Sequence, residues 1–268
     1  MTYKLFPYSG SKQWLLPLLP ELPAHSRIVE PYAGSLAFGV NQAITNKTPF
    51  VGYEREKQLC WIYDELHRVL TTYADNEQHA LECLNYILSD TDKIRQELVG
   101  VQVTEGFPDV DNANYYSKFQ FALIRLCCSG LYVGAFTSKK VYPQHKLPAY
   151  LPETASKLYG VDWRVLNEDS ANYKPQQGDL VFIDPPYLRT TGGYKVDKSF
   201  DISHTHNIIQ RCQEAGVPFI VTYGTGAQED FPMLNGWKLV KTKTTSNIQR
   251  TGTNVREENL YLSWENRT

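Results

Sequence analysis

The sequence predicts an α/β protein built on a doubly wound, mostly parallel sheet. Two short apolar segments near its start, at 26–35 and 49–56, each carry acidic residues at the end of a strand pattern and each lead into a helical pattern. A clear strand pattern, "GDLVFID", recurs at 178–184. Alternation of strands with helices favours a parallel sheet, because the crossover between two parallel strands usually passes through a helix.

The first part of the chain supplies two strand–helix units. A strand at Arg27–Glu30 runs into a glycine-containing turn, and "LAFGVNQAI" after this turn is predicted to be a helix. The segment 49–56 is the second strand. Residues 56–74 then place apolar side chains at helical spacing, namely Leu59, Ile62, Tyr63, Leu66, Val69 and Leu70.

The middle of the chain differs in character and predicts an inserted, mainly helical subdomain. The segments "NEQHALECLNYILS" and "NYYSKFQFALIRLCC" have helical patterns, and residues 129–150 carry Gly, Ser, Lys and Pro among aromatics, which indicates a hairpin or loop. We place the insert at 75–163, within a main domain formed by residues 1–74 and 164–268.

Strands and helices alternate again after the insert. "DWRVLNED" and "GDLVFID" are strands, "SHTHNIIQRCQEAG" is a helix that ends at Gly216, and "VPFIVTYG" is a further strand. "WKLVKTKTT" and "ENLYLSW" are predicted to pair as a terminal antiparallel hairpin.

Composition limits the class of protein. The 268 residues, 42% of them hydrophobic, are enough for one large domain with a normal core. A net charge of −2 gives no global attraction to nucleic acid, although a local basic face is sufficient for binding. No stretch reaches the roughly 18 apolar residues of a membrane span, and the first residues lack a signal-peptide pattern. The five cysteines form no metal-ligand pattern, so we expect no metal site, reduced thiols and a cytoplasmic location.

The tetrapeptide Asp184-Pro185-Pro186-Tyr187 is the strongest chemical signal. Its acid follows a strand, at the end where open α/β sheets bind ligands. The two prolines fix φ and remove two N–H donors, so their carbonyls have little freedom. A carboxylate and a fixed carbonyl together suit an amine that carries two hydrogens, and the tyrosine offers a flat face for a ring. A strand that simply ended at proline would not require all four residues.

Three other segments gain meaning in combination, although an ordinary turn, a surface acid or a helix cap explains each of them alone. Glu30 precedes Ala33-Gly34-Ser35, which places a glycine where the backbone can approach a ligand. Glu54 follows the second strand, where nucleotide-binding folds place an acid that holds ribose hydroxyls. Tyr8-Ser9-Gly10 and Lys12 precede the first strand.

In this order the segments resemble the Dam-like, alpha-group DNA adenine-N6 methyltransferases. The family's Asp-Pro-Pro-Tyr signature is intact at 184–187, its acid–Pro–aromatic–x–Gly motif matches 30–34, and its Tyr-x-Gly-x-Lys element matches 8–12. The resemblance covers most of residues 3–56 and 165–264. It implies a Rossmann-like methyltransferase sheet, a target-recognition role for the insert and S-adenosylmethionine as cofactor. Leu36 replaces a frequent glycine of the family, which we expect an early helix start to accommodate.

The resemblance also implies the cofactor-binding residues. Tyr8, Ser9, Gly10 and Lys12 would lie near the methionine end, Pro31, Tyr32, Ala33, Gly34 and Ser35 beneath the cofactor, and Glu54 at the ribose. Asp169 matches the position that contacts the adenine moiety, and the neighbouring Glu168 or Ser170 is an alternative. Asp184 would border both cofactor and substrate.

Double-stranded DNA with its target base flipped out is the implied substrate. Phosphates would meet Arg189, Lys195 and Lys198 in a lid-like loop, in which Tyr194 offers a second stacking face. Lys139, Lys140 and Arg250 are further candidate DNA contacts. Residues 129–142 are too short and contain no arginine to match the family's base-reading hairpin, so no target sequence is transferred.

Several alternatives stay open. The same acceptor pair would serve cytosine N4 or an amine in RNA, and a catalytically silent nucleic-acid-binding relative would keep the fold. A nucleotide-dependent dehydrogenase lacks support, since its glycine-rich fingerprint is missing and the double proline would be unexplained. The sequence leaves open whether the protein is monomeric, and whether it acts alone, comes from a phage, or works with a nuclease in restriction and modification.

Overall fold

The computed structural model describes residues 2–6, 11–100, 102–103, 115–128, 139–141, 143, 146–188, 200–224, 226–244 and 254–265. The strands are β1 (Arg27–Glu30), β2 (Phe50–Tyr53), β3 (Gln102–Val103), β4 (Lys139–Lys140), β5 (Trp163–Leu166), β6 (Asp179–Ile183), β7 (Phe219–Tyr223), β8 (Lys238–Thr244) and β9 (Asn254–Leu262). The helices are α1 (Ala37–Asn46), α2 (Lys57–Thr72), α3 (Glu77–Glu97), α4 (Tyr115–Cys128), α5 (Leu151–Lys157), α6 (Ile202–Glu214) and α7 (Ala227–Asp230).

Seven strands form one mostly parallel sheet in the order β5-β2-β1-β6-β7-β9-β8. The first five are parallel, whereas β9 pairs antiparallel with β7 and β8 pairs antiparallel with β9. The prediction of an α/β protein with a mostly parallel sheet and a terminal antiparallel hairpin is confirmed, and the order is compatible with a Rossmann-like fold. The direction of winding reverses between β1 and β6, and such a switch point is where open α/β sheets bind ligands.

Alternating side chains of the central strands face two separate cores. In β6, Leu180 and Phe182 join the core under α1 and α2, whereas Val181 and Ile183 join the core under α6. Helices therefore cover both faces of the sheet, which explains why apolar residues on these strands point to both sides of it.

Local signals set the helix boundaries. The side chains of Glu56, Asn76 and Asp201 accept backbone N–H bonds at the starts of α2, α3 and α6, and so satisfy donors that a helix leaves unpaired. Helix α6 ends as predicted just before Gly216, which has φ of 65°.

Helices α3, α4 and α5 lie in the predicted insert between β2 and β5. Ala80 and Leu84 of α3 and Leu123 of α4 belong to the same core as the sheet face under α2, so the insert shares its packing with the main domain. Of the predicted hairpin or loop at 129–150, residues 129–138 lie outside the described residues, and β4 forms a two-stranded pair with β3. Strand β5 begins at Trp163, the last residue of the predicted insert.

Every helix in the described part of the chain is too short or too polar to cross a membrane.

Candidate functional site

The candidate site lies at the carboxyl ends of the parallel strands. Glu30 ends β1, Glu54 follows β2, Asp184 follows β6 and Gly224 follows β7. Because parallel strands end at the same edge of a sheet, these residues share one crevice at the switch point.

Donors from three parts of the chain hold the carboxylate of Asp184. The Lys12 ammonium lies 2.9 Å from Oδ2, and the Thr222 hydroxyl donates to Oδ1 at 2.7 Å. The Tyr187 hydroxyl lies 3.3 Å from the same Oδ1. The Asp184 side chain is 21% exposed, so it is oriented by these groups and still reachable from the crevice.

The segment before β1 carries Lys12 to this position. The backbone N–H of Tyr3 donates to Asn41 Oδ1 at 2.7 Å, and Asn41 Nδ2 donates back to the Tyr3 carbonyl at 2.8 Å. Leu5 and Leu15, which precede and follow Lys12 in the sequence, are buried. Lys12, which the resemblance placed at the methionine end of the cofactor, therefore contacts Asp184 with its side chain only 4% exposed.

Tyr187 is packed between the strand ends. Its ring lies 4.9 Å from that of Tyr223, and a Cβ on Gly224 would approach ring atom Cδ2 to 2.8 Å. Gly224 is therefore required for this close approach. The hydroxyl lies 3.1 Å from Glu258 Oε2, and Lys12 Nζ lies over the ring at 5.1 Å from its centroid. One face of the ring on which a base was expected to stack thus carries an ammonium group.

The turn after β1 contains a buried acid. Glu30 is 2% exposed, and its Oε1 accepts the backbone N–H of Gly39 at 2.6 Å. Burial, reinforced by the nearby charge of Asp184 and opposed by the Gly39 N–H, raises the pKa of Glu30 to about 8. Much of the Glu30 population is therefore neutral at pH 7.

The backbone of the same turn is left-handed at two positions. Gly34 has φ of 46° and Leu36 has φ of 52°. The expected early helix start at Leu36 was wrong, since α1 begins at Ala37 and Leu36 is its N-cap. A left-handed leucine costs roughly 1 kcal/mol, which explains why glycine suits this position. Complete burial of the Leu36 side chain offsets that cost.

Glu54 joins the β1 turn to the end of β2. Its Oε2 accepts the Gly34 N–H at 3.0 Å, and its Oε1 accepts the Glu56 N–H at 2.9 Å. The Tyr63 hydroxyl fixes the same turn by donating to the Gly34 carbonyl at 2.5 Å. Burial raises the pKa of Glu54 to about 7 against the effect of the two N–H donors, and the Glu56 charge raises it further. The predicted combination of a glycine turn and a following acid is thus joined by a hydrogen bond.

Tyr32 and Asp169 lie on the other side of the β1 turn. The hydroxyls of Tyr32 and Thr205 share a hydrogen bond of 2.6 Å. Asp169 Oδ1 accepts the Ala171 N–H at 2.8 Å, and its Oδ2 lies 3.6 Å from Arg55 Nε. Ser170, next to Asp169, is buried.

The remaining predicted site residues differ in burial, and some of them lie outside the described part of the chain. Pro31, Ala33 and Pro185 are buried, and Ser35 and Pro186 are half-buried. Lys139 and Lys140 form β4. Tyr8, Ser9, Gly10, Arg189, Tyr194, Lys195, Lys198 and Arg250 lie outside the described residues, so their roles stay predictions.

Two residues of the polar cluster around Asp184 were not recognised from the sequence alone. Thr222 is in phase with the core residue Ile220 of β7, and Glu258 is in phase with Leu260 and Leu262 of β9. A polar or acidic side chain at the apolar phase of a strand is the signal that would have found both.

A comparison with models of known protein families finds no match, and neither does a comparison with curated protein sequences. The functional assignment therefore depends on the chemistry of the crevice.

The raised pKa of Glu30 predicts a pH-dependent stability. Between the ordinary value near 4.5 and about 8, the folded state binds more protons than the unfolded state, so this residue lowers stability as pH rises through that window. Glu30→Gln should remove the effect. Relative to the wild type, the variant should gain on the order of 3 kcal/mol between pH 5 and pH 8.5. Urea unfolding at the two pH values checks this, with Glu21→Gln at an exposed site as control. An equal difference at both pH values would refute it.

Proposed function

We propose that this chain is an S-adenosylmethionine-dependent methyltransferase that acts on the exocyclic N6 of adenine in DNA. The observation that carries the proposal is the placement of Asp184. This carboxylate ends a central strand at the switch point, is held by Lys12 and Thr222, and lies beside the turn that Glu54 fixes. The intact motif that resembles the Dam-like family supplies the reaction class.

The crevice fits the proposed cofactor by the chemistry of its groups. A half-buried carboxylate, Glu54, ends β2 and is bonded to Gly34, as expected for an acid that accepts ribose hydroxyls beside a ligand-approaching glycine. Ala33 and Gly34 leave little side-chain bulk at the turn. By the resemblance, Lys12 and the preceding element would hold the methionine end, and Asp169 or Ser170 the adenine. When bound, S-adenosylmethionine supplies an electrophilic methyl group.

Asp184 would prepare the amine for this methyl group. The lone pair of an adenine N6 nitrogen is delocalised into the ring, which makes the nitrogen a poor nucleophile. Hydrogen bonds from its two N–H groups to Asp184 and to the Pro185 carbonyl would draw the nitrogen toward tetrahedral geometry. The nitrogen would gain the methyl group as the bond from this methyl to the sulfonium sulfur breaks and leaves its electron pair on sulfur, and it would lose one proton, to Asp184 or to water. The contribution of the protein is positioning and electrostatic stabilisation, without a covalent enzyme intermediate.

A base within a duplex cannot reach this carboxylate, so the proposal requires base flipping at a cost of a few kcal/mol. Lys12 lies over the Tyr187 ring and contacts Asp184, the two groups that a flipped base would use. Entry of the base therefore requires the ammonium to move aside or to be shared with the incoming ring.

Asp184→Asn is expected to lower methyl transfer to mixed-sequence DNA at least 100-fold while cofactor affinity changes less than about fivefold, since the side chain loses its negative charge and one of its two oxygens is replaced by an N–H donor. Transfer of labelled methyl groups measures the rate, and calorimetry measures affinity. Sequencing that maps the modified bases distinguishes adenine N6 from cytosine N4, and an RNA of the same sequence tests the other substrate class.

The control is Asp92→Asn, which removes a carboxylate paired with Arg95 on α3 and should keep the wild-type rate. Near-normal transfer by Asp184→Asn would show that Asp184 does not hold the amine. Failure of the wild type to bind S-adenosylmethionine would refute the whole proposal.

Cofactor affinity should fall as pH drops below about 7, because ribose hydroxyls donate to the ionised form of Glu54 and its raised pKa must be lowered on binding. The loss approaches tenfold per pH unit well below that pKa. Calorimetry at pH 6 and pH 8, in buffers of different ionisation enthalpy, measures affinity and proton release.

In Glu54→Gln this component of the pH dependence should disappear, together with the proton release. Titration of the cofactor's own amino group is common to both proteins, so the difference between them isolates Glu54. The same pH dependence in both proteins would show that Glu54 does not contact the ligand.

A further inference from the structure

Glu258 is a buried acid at a position where packing alone favours an apolar side chain. It is 2% exposed and lies in phase with Leu260 and Leu262 on β9. Its neighbour across the hairpin is Val240, which packs against the same core. An ionised carboxylate at such a position costs several kcal/mol unless it is paired. The partners of Glu258 therefore show what this acid contributes.

Those partners are two residues of the crevice. Glu258 Oε2 lies 3.1 Å from the Tyr187 hydroxyl and 3.6 Å from Lys12 Nζ. The same two groups contact Asp184, at 3.3 Å and 2.9 Å. Glu258 and Asp184 thus share one hydroxyl donor and one ammonium.

The hydroxyl of Tyr187 has one hydrogen, so it donates to one carboxylate at a time. Its contact with Glu258 is the shorter of the two. When the hydrogen points to Glu258, Oδ1 of Asp184 keeps the Thr222 hydroxyl as donor and retains a lone pair for another. That lone pair is what a substrate N–H would need.

The ammonium of Lys12 likewise contacts both Asp184 and Glu258. It lies between the two carboxyl groups, 2.9 Å from Asp184 Oδ2 and 3.6 Å from Glu258 Oε2, so that its charge is shared between them. A third acid close to Asp184, Glu30, is largely neutral at pH 7. A negative environment stabilises an amine that becomes cationic as it gains a methyl group.

We propose that Glu258 is a positioning residue of the methyl-transfer site, which draws the Tyr187 hydroxyl and part of the Lys12 charge away from Asp184 and so keeps this carboxylate available to the substrate amine. This inference rests on the proposed function. Glu258 acts through Tyr187 and Lys12 and does not itself contact the substrate.

The test is the single-turnover rate of labelled-methyl transfer at saturating DNA and S-adenosylmethionine, with cofactor affinity and melting temperature measured alongside. Glu258→Gln keeps the size and an accepting oxygen, and should lower the rate about five- to tenfold. Glu258→Leu removes both, and should lower it at least 30-fold. Cofactor affinity should stay within about threefold in both variants. Glu65→Gln removes another buried carboxylate, which pairs with Arg68 on α2, and should keep the wild-type rate.

A double variant separates positioning from general structural support. In Glu258→Leu the Tyr187 hydroxyl loses its shorter contact and keeps its contact with Asp184, so adding Tyr187→Phe should raise the rate severalfold above that of Glu258→Leu alone. If Glu258 had only a structural role, the double variant should be slower than Glu258→Leu, because the losses of packing and hydrogen bonding from the two substitutions would add.

The inference is overturned if Glu258→Gln transfers methyl groups at the wild-type rate, or if the double variant is slower than Glu258→Leu. If Glu258→Leu fails to fold, the same test uses Glu258→Gln: its transfer rate is compared with that of the double variant Glu258→Gln/Tyr187→Phe. A wild-type protein that binds S-adenosylmethionine and methylates DNA upholds the proposed function whichever way Glu258 behaves. A wild type that does neither overturns both.

Discussion

A lysine ammonium that is 4% exposed needs a counter-charge, and the carboxylate of Asp184 supplies it at 2.9 Å. This ion pair joins the segment before β1 to the end of the central strand β6. Around it are arranged the Thr222 hydroxyl from β7 and the Glu258 carboxylate from β9. The sheet order brings β6, β7 and β9 side by side, so the strand arrangement and the polar cluster depend on each other. Replacement of Asp184 by an uncharged residue would leave the buried ammonium of Lys12 without this counter-charge.

Two acids in the crevice have raised pKa values, for the same physical reason and with different consequences. Glu30 is buried within the turn, and its neutral form lets Asp184 carry the negative charge close by. Glu54 bonds the backbone at the glycine turn and titrates near neutral pH, so it can respond to a ligand that donates hydrogen bonds. Burial thus favours the neutral forms of Glu30 and Glu54. The other two acids nearby, Asp184 and Glu258, lie next to the Lys12 ammonium.

Local patterns were sufficient to predict the seven strands of the main sheet, the longer helices and the crevice edge, whereas β3, α5 and α7 were not predicted. Alternation of strand and helix fixed the parallel sheet, and acids at strand ends marked its ligand-binding edge, because both features depend on neighbours in sequence. A spacing rule singled out Glu54 as a candidate ribose acid, whereas its hydrogen bond to the Gly34 N–H is seen only in the structure. Glu258 could not be found in this way, since its partners Lys12 and Tyr187 are distant in sequence and only the pairing of β9 with β7 brings them together. The left-handed Leu36 was missed because its cost is offset by burial that only the packed turn provides.

The two hydrogen bonds between Tyr3 and Asn41 attach the segment before β1 to helix α1. Lys12 precedes the first strand of the sheet, whereas Glu258 lies in its last strand. A chain that has folded its central strands but has not yet docked both of these segments contains Asp184 without its ammonium and without the second acid. The charge arrangement of the crevice is therefore complete only when both segments are docked, so the chemistry of Asp184 reports on the first and last parts of the sheet domain together.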